Sequence, residues 1–364
     1  MTGLYVHLPF CKRKCAYCDF YSVTETDKMD AYIAALCRDI SACTYDDTID
    51  TVFFGGGTPS LLSCENWRNL MGAIRARYPI SEDGEITVEC NPDSVSVRLL
   101  TTLKESGVNR ISLGVQGLKD ETLRTIGRLH DASSALNAIQ LVAQYFDNLN
   151  VDYMIGLPHT SVDDVRRDIE TLAPYCEHIS VYALILEEET PLFRAVQSGE
   201  VRLPDDDTVA DMYHTACEVL ATHGLTRYEI SNFAKEARQC RHNLHCWQFH
   251  PYLGFGAGAH GFVRGERYHY PCDLYAYIAG AAPSVETADM HTRMQEMIIL
   301  GLRTTAGVDL HAFRALFGVD LSEAFGNALK DDTVRKTTVL DESHLRIRPE
   351  YLYVSNDIME KFLD

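Results

Sequence analysis

Residues 4–18 read LYVHLPFCKRKCAYC, a short apolar stretch followed directly by a loop with three cysteines. Residues 4–7 have the length and composition of a strand that is covered on both faces. Cys11, Cys15 and Cys18 follow with C-x3-C-x2-C spacing. Three thiolates this close in sequence can bind three irons of a cubane, because a loop of this length can wrap one cluster face. The stretch therefore predicts an iron–sulfur site directly after a first buried strand.

A structural zinc site is the alternative that these residues leave open. Structural zinc takes four ligands, usually in two pairs, and only His7 and Asp19 lie near the triplet as a fourth. A cubane held by three cysteines instead keeps one iron without a protein ligand.

Short apolar stretches continue to alternate with amphipathic helical segments downstream. The further predicted strands are residues 51–54, 85–89, 110–114, 150–155 and 178–184, and the predicted helices are 27–43, 64–78, 96–105, 120–145 (as two helices) and 162–174. Repeated βα units imply a parallel sheet with its chemistry at the carboxyl ends of the strands. We therefore expect an α/β fold, a partial (β/α)6 barrel of the TIM type, over residues 1–227.

The chain changes character after a predicted helix at residues 205–223. Residues 228–285 are rich in His, Gly and aromatic side chains and show little periodicity, as expected for a connector. Helices are then predicted at 292–302, 310–317 and 321–329, with a hairpin around 345–354. Helices followed by a hairpin indicate a mainly helical, winged-helix-like domain over residues 286–364.

Composition limits the classes of partner. The formal net charge of −19 over 364 residues argues against a nucleic-acid backbone, which needs clustered Lys and Arg. The first ten residues lack the pattern of a signal peptide, and the longest apolar run, residues 179–186, is too short to span a bilayer. We expect a cytoplasmic protein without an integral membrane segment, and in that setting twelve cysteines indicate metal binding or catalysis.

Residues 5–20, YVHLPFCKRKCAYCDF, resemble the opening of radical S-adenosylmethionine (SAM) proteins of the HemN/HemW family. The pattern continues over nearly the whole chain, to YVSND at residues 353–357. The resemblance implies a [4Fe–4S] cluster on the three cysteines, with SAM chelating the open iron through its amino and carboxylate groups.

FGGGTP at residues 54–59 resembles the glycine-rich SAM loop of that family, where bare backbone can approach the methionine moiety. Carboxylates suit the ribose hydroxyls and the sulfonium of SAM, and an arginine suits its carboxylate. From the residues alone, each such position also fits a buried polar group or a surface ion pair. The positions that the resemblance implies for SAM are Tyr5, Gly56, Gly57, Thr58, Glu89, Gln116, Arg128, Asp152 and Ala183.

Within this family, two features resemble the HemW branch, whose members are regarded as haem chaperones. The branch that decarboxylates coproporphyrinogen III has a further cysteine where this chain has Phe20, and it has a long arm before the first strand where this chain has only three residues. CRHNLHCW at residues 240–247 also resembles the HemW signature H-N-x-x-Y-W, with Cys246 in place of the tyrosine.

Haem suits these residue types, because imidazole or thiolate can ligate its iron and an indole can stack on the macrocycle. The segment 252–260 also matches the family and adds a second histidine. The alternative is that His242 and Trp247 only close the open side of the barrel. The haem-binding candidates are His242, Asn243, Cys246, Trp247 and His260.

These patterns together predict a haem chaperone that binds a [4Fe–4S] cluster, SAM and haem, and delivers haem to acceptor proteins. It would need an electron donor for the cluster, and it need not be a catalyst. One alternative is an anaerobic coproporphyrinogen III dehydrogenase or a related tetrapyrrole-modifying enzyme. The other is a structural zinc protein with a degenerate barrel.

Overall fold

The computed structural model describes residues 2–363, and its centre is a sheet of six adjacent parallel strands in chain order. They are β1 (Thr2–Leu8), β2 (Ile49–Gly56), β3 (Ile80–Cys90), β4 (Arg110–Gln116), β5 (Leu149–Ile155) and β6 (His178–Ala183). Each contains one of the six predicted strands, apart from the last residue of the sixth. The predicted α/β fold with parallel βα units is therefore confirmed.

The helices between these strands also fall where they are predicted. They are α1 (Met29–Ala42), α2 (Cys64–Arg77), α3 (Val97–Glu105), α4 (Asp120–Thr125), α5 (Ala132–Ala143) and α6 (Val162–Leu172). After β6 come α7 (Pro191–Gln197), which was not predicted, and α8 (Asp206–Thr222), which was. Side-chain caps fix several of their starts. Ser63 Oγ accepts the backbone N–H of Asn66, and Ser161 and Asp164 form a reciprocal capping box.

Side chains along the strands alternate between two environments. Leu4, Val6 and Leu8 are fully buried in one hydrophobic core with residues of α1, whereas Tyr5 between them is half-buried. The same alternation gives β2, β3 and β5 one half-buried inner side chain each, and polar side chains fill the inner positions further down. The barrel interior is therefore polar, and its outer face is apolar beneath the helices.

The connector adds strands to both edges of this sheet. β8 (Asn232–Ala234) pairs antiparallel with β6, and β9 (Tyr252–Phe255) pairs parallel with β1. Around them the full sheet runs β12-β11-β10-β9-β1-β2-β3-β4-β5-β6-β8-β7. The remaining elements of this part are β7 (Thr226–Arg227), α9 (Arg241–Trp247), β10 (His260–Val263), β11 (Glu266–His269), α10 (Leu274–Ile278) and β12 (Ser284–Glu286).

The C-terminal part combines helices with a three-stranded antiparallel sheet, β13-β15-β14, around a second hydrophobic core. This agrees with the mainly helical, winged-helix-like prediction. Phe249 and Phe262 of the connector also pack into this core. The elements are α11 (Met290–Leu302), β13 (Val308–Asp309), α12 (Leu310–Phe317), α13 (Leu321–Ala324), α14 (Asp332–Thr337), β14 (Thr338–Leu340), β15 (His344–Ile347) and α15 (Ser355–Met359).

Two details of the C-terminal prediction are wrong. The hairpin is formed by β14 and β15, and the segment Pro349–Val354 that was expected to be part of it is a 3-10 helix. Pro349 opens that helix because its fixed φ suits a first helical turn, despite the β-forming residues that follow. The helix predicted at 321–329 ends at Ala324, and Ala328–Lys330 forms a separate 3-10 turn.

Among residues 2–363, no helix is both long and apolar enough to cross a bilayer.

Candidate functional site

The three cysteines lie on a loop that folds back on itself after β1. The backbone N–H of Cys11 donates to Val23 O at 2.9 Å, and that of Cys18 donates to Cys15 O at 3.3 Å. Ala16 N–H donates to Ile126 O at 2.9 Å, which fastens the loop to the end of α4. All three thiols are free and partly exposed. They are therefore available as ligands at the carboxyl end of the first strand.

Two side chains from later loops reach these thiols. Thr58 Oγ1 lies 3.5 Å from Cys11 Sγ, and Arg128 Nη1 lies 3.6 Å from Cys15 Sγ. Burial raises the pKa of the Cys11 and Cys18 thiols. Between residues 2 and 363, no three His, Cys, Asp or Glu side chains surround a single metal-ion position. The thiolates of a cubane site bind different irons and need not surround one position.

The glycine-rich loop packs against the start of the cysteine loop. Gly57 N–H donates to Leu8 O at 2.9 Å, and Thr58 N–H donates to Phe10 O at 2.7 Å. A Cβ on Gly57 would lie 2.7 Å from Phe10 O, and one on Gly56, whose φ is 109°, would lie 2.5 Å from the His7 ring. These glycines are therefore required for the close approach of the two loops, apart from any ligand.

Glu89 and Asp152 form a pair of carboxyl groups on the inner face. Burial, with the charge of Asp152 adding to it, raises the pKa of Glu89 to about 8. The carboxylate of Glu89 accepts the N–H of Gly56 at 3.2 Å. Burial also raises the pKa of Asp152, although hydrogen bonds partly offset it. A cationic ligand bound beside this pair would favour the ionised form of Glu89, against the effect of burial.

Arg128 spans the space between the cysteine loop and β4. Its Nη2 donates to Asn91 Oδ1 at 2.7 Å and to Gly114 O, while its buried Nε has no partner among the residues described. This unpaired donor beside the cysteines fits an anionic ligand group such as a carboxylate. Gln116 is the last residue of β4 and has a left-handed φ of 70°. Ala183 is the last residue of β6 and is exposed.

The positions expected to bind SAM are thus distributed around one edge of the sheet. Eight of the nine belong to β1–β6 or to the loop directly after β2, and Arg128 lies between α4 and α5. Most occupy the carboxyl halves of the strands, where βα-barrel chemistry is expected.

Sequence reasoning missed a chain of hydrogen bonds deeper in the barrel. Asn150 Nδ2 donates to Asp152 Oδ1 at 2.8 Å, and Asn150 Oδ1 accepts from His178 Nδ1 at 2.6 Å. His178 Nε2 accepts from Tyr228 Oη at 2.8 Å, and Ser112 Oγ donates to Asp152 Oδ2 at 3.1 Å. Ser112, Asn150, Asp152 and His178 do alternate with apolar residues along the predicted strands, but the sequence does not show that neighbouring strands bring them together.

His242 lies on the inner face of the barrel, fully enclosed. Its Nδ1 is hydrogen bonded to Thr51 Oγ1 at 2.9 Å, and its ring stacks on Phe53 at 5.2 Å between centroids. Glu85 accepts the backbone N–H groups of Arg241 and His242, both at 3.1 Å, and so caps α9. Burial lowers the pKa of His242 to about 3. The helix bearing this histidine therefore closes the barrel interior.

The other haem candidates face different surroundings. Burial raises the pKa of Cys246 to about 12, and the ring of Trp247 lies 4.6 Å from the guanidinium carbon of Arg303. Asn243 is half-buried, whereas His260 is exposed and stacks on its cross-strand partner His269 at 5.4 Å. The five side chains therefore do not share one site in this conformation.

Cys272 is an additional thiol that the sequence did not single out. It is exposed, and its Sγ lies 3.3 Å from the position that a Cβ on Gly258 would take, two residues before His260.

Two sequence-family models match the chain: the radical SAM superfamily over residues 5–172 and the HemN C-terminal domain over residues 289–350. The chain is 36% identical to heme chaperone HemW of Bacillus subtilis, covering 100% of this chain and 99% of that protein. It is 33% identical to heme chaperone HemW of Lactococcus lactis, covering 100% and 97%.

A relative from Escherichia coli, also named heme chaperone HemW, is 40% identical over 72% of this chain and 70% of its own length. Among solved structures, coproporphyrinogen III oxidase (HemN) from Escherichia coli superimposes with a TM-score of 0.86. That match covers 99% of this chain and 89% of the other at 19% identity, so it concerns the fold alone.

Proposed function

The chain belongs to the radical SAM superfamily and, within it, to the family of heme chaperone HemW, and we propose that it binds a [4Fe–4S] cluster, SAM and haem and delivers haem to acceptor proteins. The likeness to the HemW relatives supports the haem part of this proposal, and one structural observation carries the cluster and SAM part. Three free, partly exposed cysteines lie at the same sheet edge as a buried carboxyl pair and an arginine with an unpaired donor.

Cys11, Cys15 and Cys18 would hold the cluster. Thiolate is the ligand that iron–sulfur clusters require, so cluster binding would displace the protons of Cys11 and Cys18, whose thiol pKa values are raised by burial. Thr58 and Arg128, which already contact two of the sulfurs, would donate hydrogen bonds to them. When bound and reduced, the cluster supplies the electron for reductive cleavage of SAM.

The barrel edge would bind SAM through groups of matched charge. Arg128 Nε would receive the carboxylate of SAM, while Glu89 and Asp152 would face its cationic and hydroxyl groups. The relay of Tyr228, His178 and Asn150 would hold Asp152 in one orientation. Tyr5, Gly56, Gly57, Thr58, Gln116 and Ala183 complete the proposed contact set.

Haem would bind at the connector, for which His242, Asn243, Cys246, Trp247 and His260 remain the candidates. Of the two histidines, only His260 has an exposed imidazole. To ligate haem, His242 would have to break its hydrogen bond to Thr51, or haem would have to enter the barrel. Exposure therefore favours His260 as the axial ligand, with His269 stacked beside it. The twelve free cysteines suit a reducing compartment, so we place this activity in the cytoplasm.

A coproporphyrinogen III dehydrogenase is the second candidate function, because HemN shares the fold. Phe20 stands where that activity is expected to have a further cysteine, and its side chain is 72% exposed. The assay supplies reconstituted protein with coproporphyrinogen III, SAM and a reductant under anaerobic conditions. We expect no decarboxylation in that assay, and stoichiometric formation of protoporphyrinogen IX would overturn the chaperone proposal.

A further inference from the structure

A basic surface lies directly over the proposed cluster. Lys12, Arg13 and Lys14 lie between Cys11 and Cys15 and form the only run of three consecutive Lys or Arg residues in a chain of net charge −19. All three side chains are exposed. We call residues 12–14 the basic loop. Its charge has the opposite sign to that of the molecule as a whole.

The charge of the basic loop is only partly neutralised. Lys12 pairs with Asp93 at 3.0 Å. Arg13 donates to the carbonyl groups of Gly127 and Arg128, which leaves its charge uncompensated. Lys14 makes no ion pair within residues 2–363. The uncompensated positive charge of this loop would attract an anionic partner.

The surroundings of the basic loop connect it to a thiol that would hold the cluster. Lys12, Arg13 and Arg128 line one surface depression together with Cys15 and Leu129. Leu129 is 48% exposed and adds an apolar contact to the charged rim. Small interfaces with complementary charge are typical of weak electron-transfer complexes, in which attraction raises the association rate.

Acidic residues beside the loop restrict how a partner can dock. Leu192 N–H donates to Ala16 O at 2.9 Å, so the segment after β6 contacts the cysteine loop. That segment carries three consecutive exposed or half-exposed glutamates at residues 187–189. An acidic partner would be attracted by the basic loop and repelled by these glutamates, which would fix its orientation.

We propose that the basic loop is the docking surface for an acidic one-electron donor protein. This inference rests on the proposed function, since the electron is destined for a cluster held by the cysteines on either side. The donor loses one electron and the cluster gains it, and no bond forms or breaks. The charge of the loop would raise the rate of encounter without taking part in the electron transfer itself.

The test compares Lys14→Glu with Lys336→Glu, a charge reversal at an exposed lysine in α14 that changes the net charge equally. Reduced flavodoxin, an acidic flavoprotein, serves as the donor, and dithionite serves as a small reductant that needs no docking. At low salt, we expect Lys14→Glu to slow reduction by flavodoxin about tenfold and to weaken flavodoxin binding, with wild-type behaviour for Lys336→Glu. High salt should remove most of the difference, because it screens exposed charges.

Equal flavodoxin rates in wild type and Lys14→Glu at low salt would overturn the proposal, as would an equal loss in Lys336→Glu. A dithionite rate that falls in parallel would also count against it, because the defect would then lie in the cluster. Lys14→Gln, expected to show a smaller loss than Lys14→Glu, provides a second variant with less risk to folding. Iron and sulfide analysis distinguishes failure of the docking proposal from failure of the proposed function. If the proposed function were wrong, the protein would not hold a cluster.

Discussion

His242 Nδ1 and Thr51 Oγ1 lie 2.9 Å apart inside the barrel, with the ring of the histidine stacked on Phe53. This contact joins the connector to β2. The histidine of the proposed haem motif therefore already has a structural role in the fold. A structural role and a haem-binding role for His242 are therefore in competition. The two roles make different predictions for variants of this residue.

The first prediction concerns the pH dependence of stability. Burial lowers the pKa of His242 to about 3, so between that value and 6.5 the unfolded chain binds a proton that the folded chain excludes. The contribution of neutral His242 to the free energy of unfolding is therefore fully present above pH 6.5. As the pH falls below that value, the free energy of unfolding decreases by up to about 1.4 kcal/mol per pH unit because of this group. His242→Gln should reduce this slope in urea unfolding, whereas His214→Gln, at an exposed position of α8, should not. An unchanged slope in His242→Gln would show that the histidine is not buried as a neutral group.

The second prediction concerns SAM affinity. Since burial raises the pKa of Glu89 to about 8, a ligand that favours its ionised form must displace a proton below that pH. SAM affinity should therefore increase between pH 6.5 and 7.5, by at most about tenfold. Calorimetry of the cluster-loaded protein should show this increase in wild type and in Glu82→Gln, an exposed position on the same strand, but less of it in Glu89→Gln. A wild-type affinity that does not change with pH would contradict the proposed role of Glu89.

The third prediction concerns the cluster. Cys18→Ser should lose most of the iron and sulfide that wild type retains after anaerobic reconstitution, because two remaining thiolates cannot hold three irons. Cys64→Ser, at a half-exposed thiol of α2, should retain wild-type amounts. Zinc bound in place of iron, or full iron content in Cys18→Ser, would contradict the assignment.

The fourth prediction concerns the hydrogen-bond relay. Asn150→Leu removes the donor to Asp152 and the acceptor for His178, leaving both partners buried. We expect a loss of about 1–3 kcal/mol in the free energy of unfolding and weaker SAM binding, since Asp152 would lose a fixed orientation. Ser198→Ala, at an exposed position after α7, should change neither quantity. Full stability and full SAM affinity in Asn150→Leu would show that the relay has no positioning role.

The parallel βα units could be predicted because each strand is a short apolar stretch between amphipathic helices. The polar interior of the barrel was not predicted, because in the sequence Asn150 and His178 are isolated polar residues. Only the pairing of neighbouring strands brings them together. The connector strands were missed since they are two to four residues long and lack a period. In the C-terminal part, Pro349 ended a stretch that β propensity alone favours as a strand.

The candidate site could likewise be predicted only in part from the sequence. The cysteine triplet and the glycine-rich loop are local in sequence, so their proximity followed from one strand pair. The burial of His242 depends on Thr51, about 190 residues earlier, and no local pattern reports such a contact. The exposure of His260 likewise depends on the pairing of β10 with β11.

The central claim is haem binding, and an anaerobic titration of cluster-loaded protein with haem, followed by Soret absorbance, tests it most directly. We expect saturable, near-stoichiometric binding in wild type, a weaker or spectrally shifted complex in His260→Ala, and a smaller effect in His242→Ala. A larger effect in His242→Ala would move the ligand into the barrel and retain the chaperone. Absence of saturable binding in wild type would contradict the account.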